Sequence, residues 1–143
     1  MSIATVCAVG SFVTGKQVWA VMAIGALAEA AADTVASECG QAWSDSVYLI
    51  TSMKRVATGT DGGVSAVGTL CAIAAAAVVA MVAWAGGIIS LHEILAAAGG
   101  GALGMIADSL LGATLQRRGW LNNDGVNLVS TAIAAAVTAA MVG

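Results

Sequence analysis

Acidic and hydroxyl side chains with regular spacing lie inside an otherwise apolar stretch of this sequence. Glu29, Asp33 and Ser37 recur at every fourth position, so a helix places them on one face, and Thr34 and Glu38 lie on the adjacent face. Ionisable groups inside apolar spans are costly, which makes each of them a candidate functional residue. Grouped oxygen ligands of this kind bind hard cations such as Mg²⁺. The plainer alternative is a set of carboxylates solvated at a membrane interface.

A glycine-rich turn, Gly59–Gly63, follows two adjacent basic residues. Glycine lets backbone N–H groups approach an anion, and a helix predicted to start near Val64 would point its positive end at the same place. Lysine and arginine add charge-assisted hydrogen bonds to phosphate. We therefore predict phosphate binding, although the residue order of a Walker loop is absent and an ordinary turn after a topogenic basic loop is the alternative. The predicted phosphate-binding residues are Lys54, Arg55, Gly59, Thr60, Gly62 and Gly63.

A third candidate is Asp108, which shares a helix face with Gly112 and Gln116. Its helix and that of Asp33 are expected to end on the same side of the membrane, so the two carboxylates can meet. Asn127 lies at the start of the last predicted helix, where it either reaches a ligand or only caps the helix and bonds across helices. The single histidine is expected on the opposite side, which excludes a histidine-activated nucleophile at this place.

The composition indicates that the elements positioning these residues are membrane helices. Of the 143 residues, 59% are hydrophobic and 9% are charged, whereas soluble domains carry about 25% charged residues. This excludes a soluble or a disordered chain, and a net charge of −3 offers no basic surface to nucleic acid. We predict an all-α fold, a single polytopic transmembrane helical bundle over residues 1–143 with four clear spans and a short N-terminal one. The predicted helices are about residues 2–15, 17–39, 64–86, 88–115 and 126–143.

Two polar loops, residues 40–63 and 116–125, are predicted on one side of the membrane because two spans separate them. Their basic residues are Lys54, Arg55, Arg117 and Arg118. The positive-inside rule assigns this side to the cytoplasm, with Lys16 as a weak exception. The run Gly99–Gly101 predicts either very close helix packing or a local break. The N-terminus lacks a basic segment and a cleavage site, so we expect a multi-pass membrane protein without a cleaved signal peptide.

Four blocks of residues resemble the integral membrane family that includes transmembrane protein 19 and plastid phytyl-phosphate kinase. The blocks are Ala32–Gly40, Lys54–Ser65, Gly104–Gln116 and Val126–Asn127, and the resemblance extends over about residues 20–131. That family is similar in turn to CTP-dependent lipid kinases such as dolichol kinase and phytol kinase. The matching residues are Asp33-Thr34, Gly40, Lys54-Arg55 and Gly59-Thr60. Thr58 departs from the kinase pattern, which has an acidic residue at this position.

The resemblance implies a phosphotransferase that acts on an isoprenyl phosphate in the membrane, with Mg²⁺ and a nucleoside triphosphate, CTP in particular. It implies that Asp33 and Asp108 are catalytic and that Asp33, Glu38 and Asp108 hold the metal ion. The basic pair would clamp phosphates, and the glycine-rich turn would cradle them. Further possible site residues are Glu29, Thr34, Ser37 and Asn127.

Two other hypotheses stay open at this point. The carboxylates Glu29, Asp33 and Asp108 would carry protons or cations in a small transporter or channel subunit. Alternatively, the chain is an inactive fragment of the family, because its relatives have further helices upstream. A homo-oligomer, or a partner that supplies those helices, is therefore also expected. Membrane lipid is the expected surrounding partner, and no nucleic acid is.

Overall fold

The computed structural model describes residues 2–143, which form a helical bundle with a small sheet at one end. The helices are α1 (Ile3–Thr14), α2 (Gln17–Trp43), α3 (Ala66–Ala85), α4 (Ile94–Leu111) and α5 (Asn123–Val142). A 3₁₀ turn (Leu91–Glu93) precedes α4, and a π-helical turn (Gly112–Gln116) follows it. Four of these segments are long and apolar enough to cross a membrane, and α1 is a shorter apolar helix. The predicted all-α bundle with four spans and a short N-terminal helix is confirmed.

Several helix ends differ from the predicted ones, and at one of them a glycine serves packing rather than termination. The second helix continues to Trp43 instead of ending at residue 39. Gly40 does not stop it, because the missing side chain is used for close approach to Ser65, whose Oγ would lie 3.2 Å from a Cβ at Gly40. The fourth span begins with the 3₁₀ turn at Leu91 rather than at residue 88, and the last helix begins at Asn123 rather than at 126.

Helix α2 is the centre of the bundle, since it packs against each of the other four helices. Its contacts are made by small residues, and one buried cluster consists of Ala28, Ala32, Ala72, Ala76 and Met105. The run Gly99–Gly101 lies inside a continuous α4, so it serves close packing and not a helix break. A Cβ at Gly101 would lie 2.7 Å from Ala28 Cβ. Small residues of this kind are what allow helices to associate closely in lipid.

Large apolar side chains lie on the outside of the bundle. Phe12, Leu70, Val82 and Leu95 are each more than 60% exposed. Such a surface would be a liability in water, whereas in a bilayer it faces lipid chains. The distribution therefore agrees with an integral membrane protein.

A three-stranded antiparallel sheet lies between α2 and α3, in a segment predicted as a loop up to residue 63, and Val64, predicted to start the next helix, lies in its last strand. Its strands are β1 (Val47–Leu49), β2 (Arg55–Val56) and β3 (Gly63–Val64), in the order β2-β1-β3. Tyr48 pairs with Arg55 on one side and with Val64 on the other. We call the end of the bundle that carries this sheet the loop end. The sheet holds the glycine-rich turn against the helices there.

Candidate functional site

A polar pocket of about 170 Å³ opens at the loop end. Helices α2, α3 and α4, the π-helical turn and the glycine-rich turn all contribute to it. Three carboxylates line it, those of Asp33, Asp61 and Asp108. Its other polar side chains come from Ser37, Gln41, Thr58, Thr60, Ser65, Thr69, Ser109, Gln116 and Asn123. It is therefore a site for a charged ligand at the end of an apolar bundle.

The carboxyl groups of Asp33 on α2 and Asp108 on α4 are neighbours in this pocket and interact electrostatically. Both are half-buried and both line the pocket. Asp108 Oδ2 accepts a hydrogen bond of 3.0 Å from the hydroxyl of Ser130 on α5. Two adjacent carboxylates repel each other unless a proton or a cation lies between them. The meeting of Asp33 and Asp108 that the sequence predicted is thus present, and its charge arrangement favours a cation.

Glu29 lies deeper than this pair and is not part of the pocket lining. It is 1% exposed, and its Oε1 has no hydrogen-bond partner among the described residues. Gly104 makes room for it, because a Cβ there would lie 2.6 Å from Glu29 Cγ. Glu29 is therefore a buried acid behind the pocket.

The glycine-rich turn is fixed by contacts that only glycine permits. Gly59 and Gly62 have φ values of +81° and +73°. A side chain on Gly62 would also collide with the backbone of Ala113, in the π-helical turn. Gly63 N–H donates to Thr60 O at 2.8 Å, which closes the turn. These contacts hold the turn in the lining of the pocket.

The first turn of α3 forms another wall of the pocket. Ser65 caps this helix, and its Oγ accepts a hydrogen bond of 3.0 Å from Gly68 N–H. Ser44 Oγ donates to Ser65 Oγ at 2.8 Å, which ties the end of α2 to the start of α3. Because helix N-termini carry partial positive charge, this wall attracts an anion. The pocket is thus lined by carboxylates on one side and by a helix start and a glycine-rich turn on the other.

The predicted basic clamp lies outside this lining. Lys54 and Arg55 are exposed on and beside β2, and Arg55 Nη2 donates to the carbonyl oxygen of Asp45 at 2.6 Å. Among the residues that line the pocket there is no lysine, arginine or histidine. The expectation placed the pair near the phosphates because it precedes the turn, but pairing of β2 with β1 directs it to the loop surface.

Other predicted residues divide between the pocket and its surroundings. Gly59, Thr60, Gly62, Gly63 and Ser37 line it, whereas Thr34, Glu38 and Asn127 do not. Thr34 Oγ1 donates to Ala30 O at 2.9 Å, and Glu38 and Asn127 are exposed. Within residues 2–143 no three Asp, Glu, His or Cys side chains come together as a metal site, so the predicted trio of metal ligands reduces to the pair.

Asp61 and Ser130 were not among the predicted site residues. Asp61 stands inside the glycine-rich turn, and its position between Thr60 and Gly62 was the available signal. Ser130 lies on the buried face of α5, and only the packing of α5 against α4 reveals its contact with Asp108.

The donor set fits Mg²⁺ bound together with phosphate. Mg²⁺ in proteins is commonly held by one or two carboxylates, with substrate phosphates and water completing its octahedron. Asp33 and Asp108 provide two such carboxylates, and the nearby turn and helix start provide donors for phosphate.

Comparison with known proteins identifies a family. Residues 1–135 match the family described as "Integral membrane protein DUF92". An uncharacterised membrane protein of Synechocystis is 38% identical over 73% of this chain, and one of Methanocaldococcus jannaschii is 36% identical over 80%. The chloroplast protein VTE6 of Arabidopsis thaliana is 34% identical over 76% of this chain. The chain spans 41%, 48% and 34% of the lengths of these three relatives. No solved structure matches it.

Proposed function

This chain belongs to the integral membrane protein family DUF92, and we propose that it transfers a phosphoryl group from a nucleoside triphosphate to an isoprenyl phosphate. The observation that carries the proposal is the pair of facing carboxylates, Asp33 and Asp108, under the glycine-rich turn. The isoprenyl acceptor and CTP as the donor come from the family resemblance described above. The pocket supports the phosphate chemistry, and the apolar bundle supports a lipid acceptor.

In this proposal Asp33 and Asp108 hold Mg²⁺ against the phosphate chain of the nucleotide. When bound, the ion neutralises the charge that develops on the transferring phosphoryl group. Glu38 is exposed and lies outside the pocket, so it has no part in this arrangement. The acidic lining repels a phosphate that arrives alone, which makes binding of nucleotide dependent on the metal ion.

The glycine-rich turn and the first turn of α3 hold phosphate oxygens in place. Gly59 and Gly62 leave room for an anion near the backbone, and the α3 N-terminus favours negative charge. Lys54 and Arg55 act earlier, as surface charge that attracts an anionic nucleotide to the loop end. Asp61 adds a third carboxylate to the lining of the pocket.

The reaction is an in-line substitution at the terminal phosphorus of the nucleotide. An oxygen of the isoprenyl phosphate forms the new P–O bond, and the bond from that phosphorus to the bridging oxygen breaks, which yields an isoprenyl diphosphate and a nucleoside diphosphate. The acceptor is already anionic, so no base has to remove a proton. The protein contributes positioning and electrostatic stabilisation, which dominate catalysis of phosphoryl transfer.

The direct test uses the full chain, purified in detergent and reconstituted in vesicles that contain geranylgeranyl or phytyl phosphate. γ-Labelled CTP and ATP are added with Mg²⁺, and label is counted in the organic phase. The proposal predicts a labelled diphosphate lipid with CTP, and its loss in Asp33→Asn. The control is Asp45→Asn, an exposed acid of the same loop end whose substitution leaves transfer unchanged. If neither CTP nor ATP yields labelled lipid, the proposal is wrong.

A second candidate function is cation or proton transport, and the buried carboxylate of Glu29, whose Oε1 has no hydrogen-bond partner within residues 2–143, favours it. Against it, the neighbouring positions on α2 towards the opposite end are apolar, including Ala28, Ala26 and Ile24. Flux of cations or protons into vesicles that disappears in Glu29→Gln supports transport. Phosphoryl transfer that persists in the same variant supports the enzyme.

A further inference from the structure

A buried hydroxyl stands directly behind one of the two pocket carboxylates. Ser130 on α5 is 0% exposed, and its Oγ lies 3.0 Å from Asp108 Oδ2 on α4. The same hydroxyl lies 3.2 Å from Asn127 O, the alternative acceptor on its own helix. Because a hydroxyl has one proton and the carboxylate carries charge, the bond to Asp108 is the stronger of the two.

The close approach of α4 and α5 at this point depends on Gly104. A Cβ there would lie 2.6 Å from Ala134 Cβ and 3.1 Å from Ser130 O. Any larger residue would separate the helices and break the contact between Ser130 and Asp108. The hydroxyl is therefore held at a fixed distance from the carboxylate by backbone packing, and not by a flexible side chain.

The rest of the surroundings offers Asp108 little else to fix its orientation. Its other charged neighbours are Asp33 and Glu29, which are also acids. Within residues 2–143, the hydroxyl of Ser130 is the side-chain donor that Asp108 has. Without it, repulsion by the neighbouring acids would turn the carboxylate.

We propose that Ser130 is a positioning residue, which fixes Oδ2 of Asp108 and leaves Oδ1 for the divalent cation in the pocket. This inference rests on the proposed function. A group that is hydrogen-bonded to a metal ligand sets the orientation of that ligand. Loss of such a group typically weakens metal binding by about 10- to 100-fold.

The experiment measures binding of Mn²⁺ alone to the purified full chain by the loss of its free EPR signal, with Mg²⁺ as competitor. Ser130→Ala removes one oxygen atom and is expected to weaken Mn²⁺ binding about 10-fold. The matched control is Thr138→Ala. Thr138 is an equally buried hydroxyl on α5, but it donates to the backbone oxygen of Ala134 at 2.8 Å and touches no carboxylate. We expect Mn²⁺ binding of this variant to equal that of the unmodified chain.

A second readout separates positioning from general loss of structure. In the transfer assay, Ser130→Ala should need about 10-fold more Mg²⁺ for half-maximal rate and recover most of its kcat at saturating Mg²⁺. Ser130→Thr retains the hydroxyl and should retain metal affinity.

Each outcome has one meaning. If the unmodified chain binds Mn²⁺ and Ser130→Ala binds it equally well, the inference is wrong and the proposed function stands. If Thr138→Ala loses affinity as much as Ser130→Ala does, packing alone explains the effect and the inference is wrong. If the unmodified chain binds no Mn²⁺ that Mg²⁺ displaces, the proposed metal site fails, and the role of Ser130 fails with it.

Discussion

Acidic side chains at the two ends of the bundle differ in the number of hydrogen-bond donors that surround them. At the opposite end, Glu93 is 4% exposed, and its Oε2 accepts hydrogen bonds from Ser90 N–H at 2.7 Å, Ser90 Oγ at 2.6 Å and Gln17 Nε2 at 3.2 Å. At the loop end, Asp108 has Ser130 as a donor, and Glu29 Oε1 has none.

This difference indicates a structural role for Glu93 and a ligand-binding role for Asp33 and Asp108. Glu93 joins the start of α2 to the turn before α4, and its Oε2 accepts three hydrogen bonds from the chain. A buried charge that lacks donors costs several kcal/mol unless a proton, a cation or a ligand compensates it. Asp33 and Asp108 therefore gain most from a cation, whereas Glu93 gains nothing from one.

The largest effect is expected for removal of either pocket carboxylate. Asp33→Asn and Asp108→Asn should lower phosphoryl transfer by about 100-fold or more, because each removes a negative ligand of the metal ion. Neither should lower stability, since each also removes repulsion between like charges. Transfer assays and thermal unfolding in detergent check both parts. A variant that keeps full activity would contradict the role given to the pair.

The reverse pattern is expected at the opposite end. Glu93→Ala should lower the free energy of unfolding by about 3 kcal/mol, because it leaves the Ser90 N–H without an acceptor and removes one of the two hydrogen bonds of the Gln17 amide. Activity per folded molecule should not change. Glu38→Ala, an exposed acid, is the control and should change stability by less than about 0.5 kcal/mol. Unfolding in SDS provides the measurement, and equal stability of the two variants would remove the distinction between the ends.

Substitution of two glycines in the glycine-rich turn tests how tightly this turn packs against the helices. Gly62→Ala should lower the free energy of unfolding by about 2 kcal/mol or more, because its φ is +73° and its side chain would meet Ala113. Gly59→Ala has a φ of +81° but open space around it, so about 1 kcal/mol is expected. Unfolding measurements on both variants check this order. Equal effects would mean that the turn does not press against the π-helical turn.

The smallest effect is expected at Glu29. Glu29→Gln keeps the shape of the side chain and removes a negative charge close to the carboxylates of Asp108 and Asp33. We expect a gain of about 1 kcal/mol in stability and little change in transfer. Thermal unfolding and the transfer assay measure the two quantities. A large loss of transfer would place Glu29 inside the reaction.

The helices and the end of the bundle at which each charge lies were predictable from the sequence, because a membrane span fixes the side on which each loop emerges. The side of each charge follows from counting spans, and that count predicted the contact between Asp33 and Asp108. The three strands were missed because two of them contain only two residues, which is too short for an alternating pattern. Their pairing in turn directs Lys54 and Arg55 away from the pocket. The role of Ser130 depends on packing between α4 and α5, which spacing along one helix does not reveal.

The most direct test of the cation site is the number of Mn²⁺ ions bound per chain, with Mg²⁺ as competitor. We expect one displaceable ion, lost in both Asp33→Asn and Asp108→Asn and retained in Glu93→Gln. An ion that persists in both aspartate variants, or no displaceable ion in the unmodified chain, would contradict the claim that the carboxylates of the loop end form the cation site.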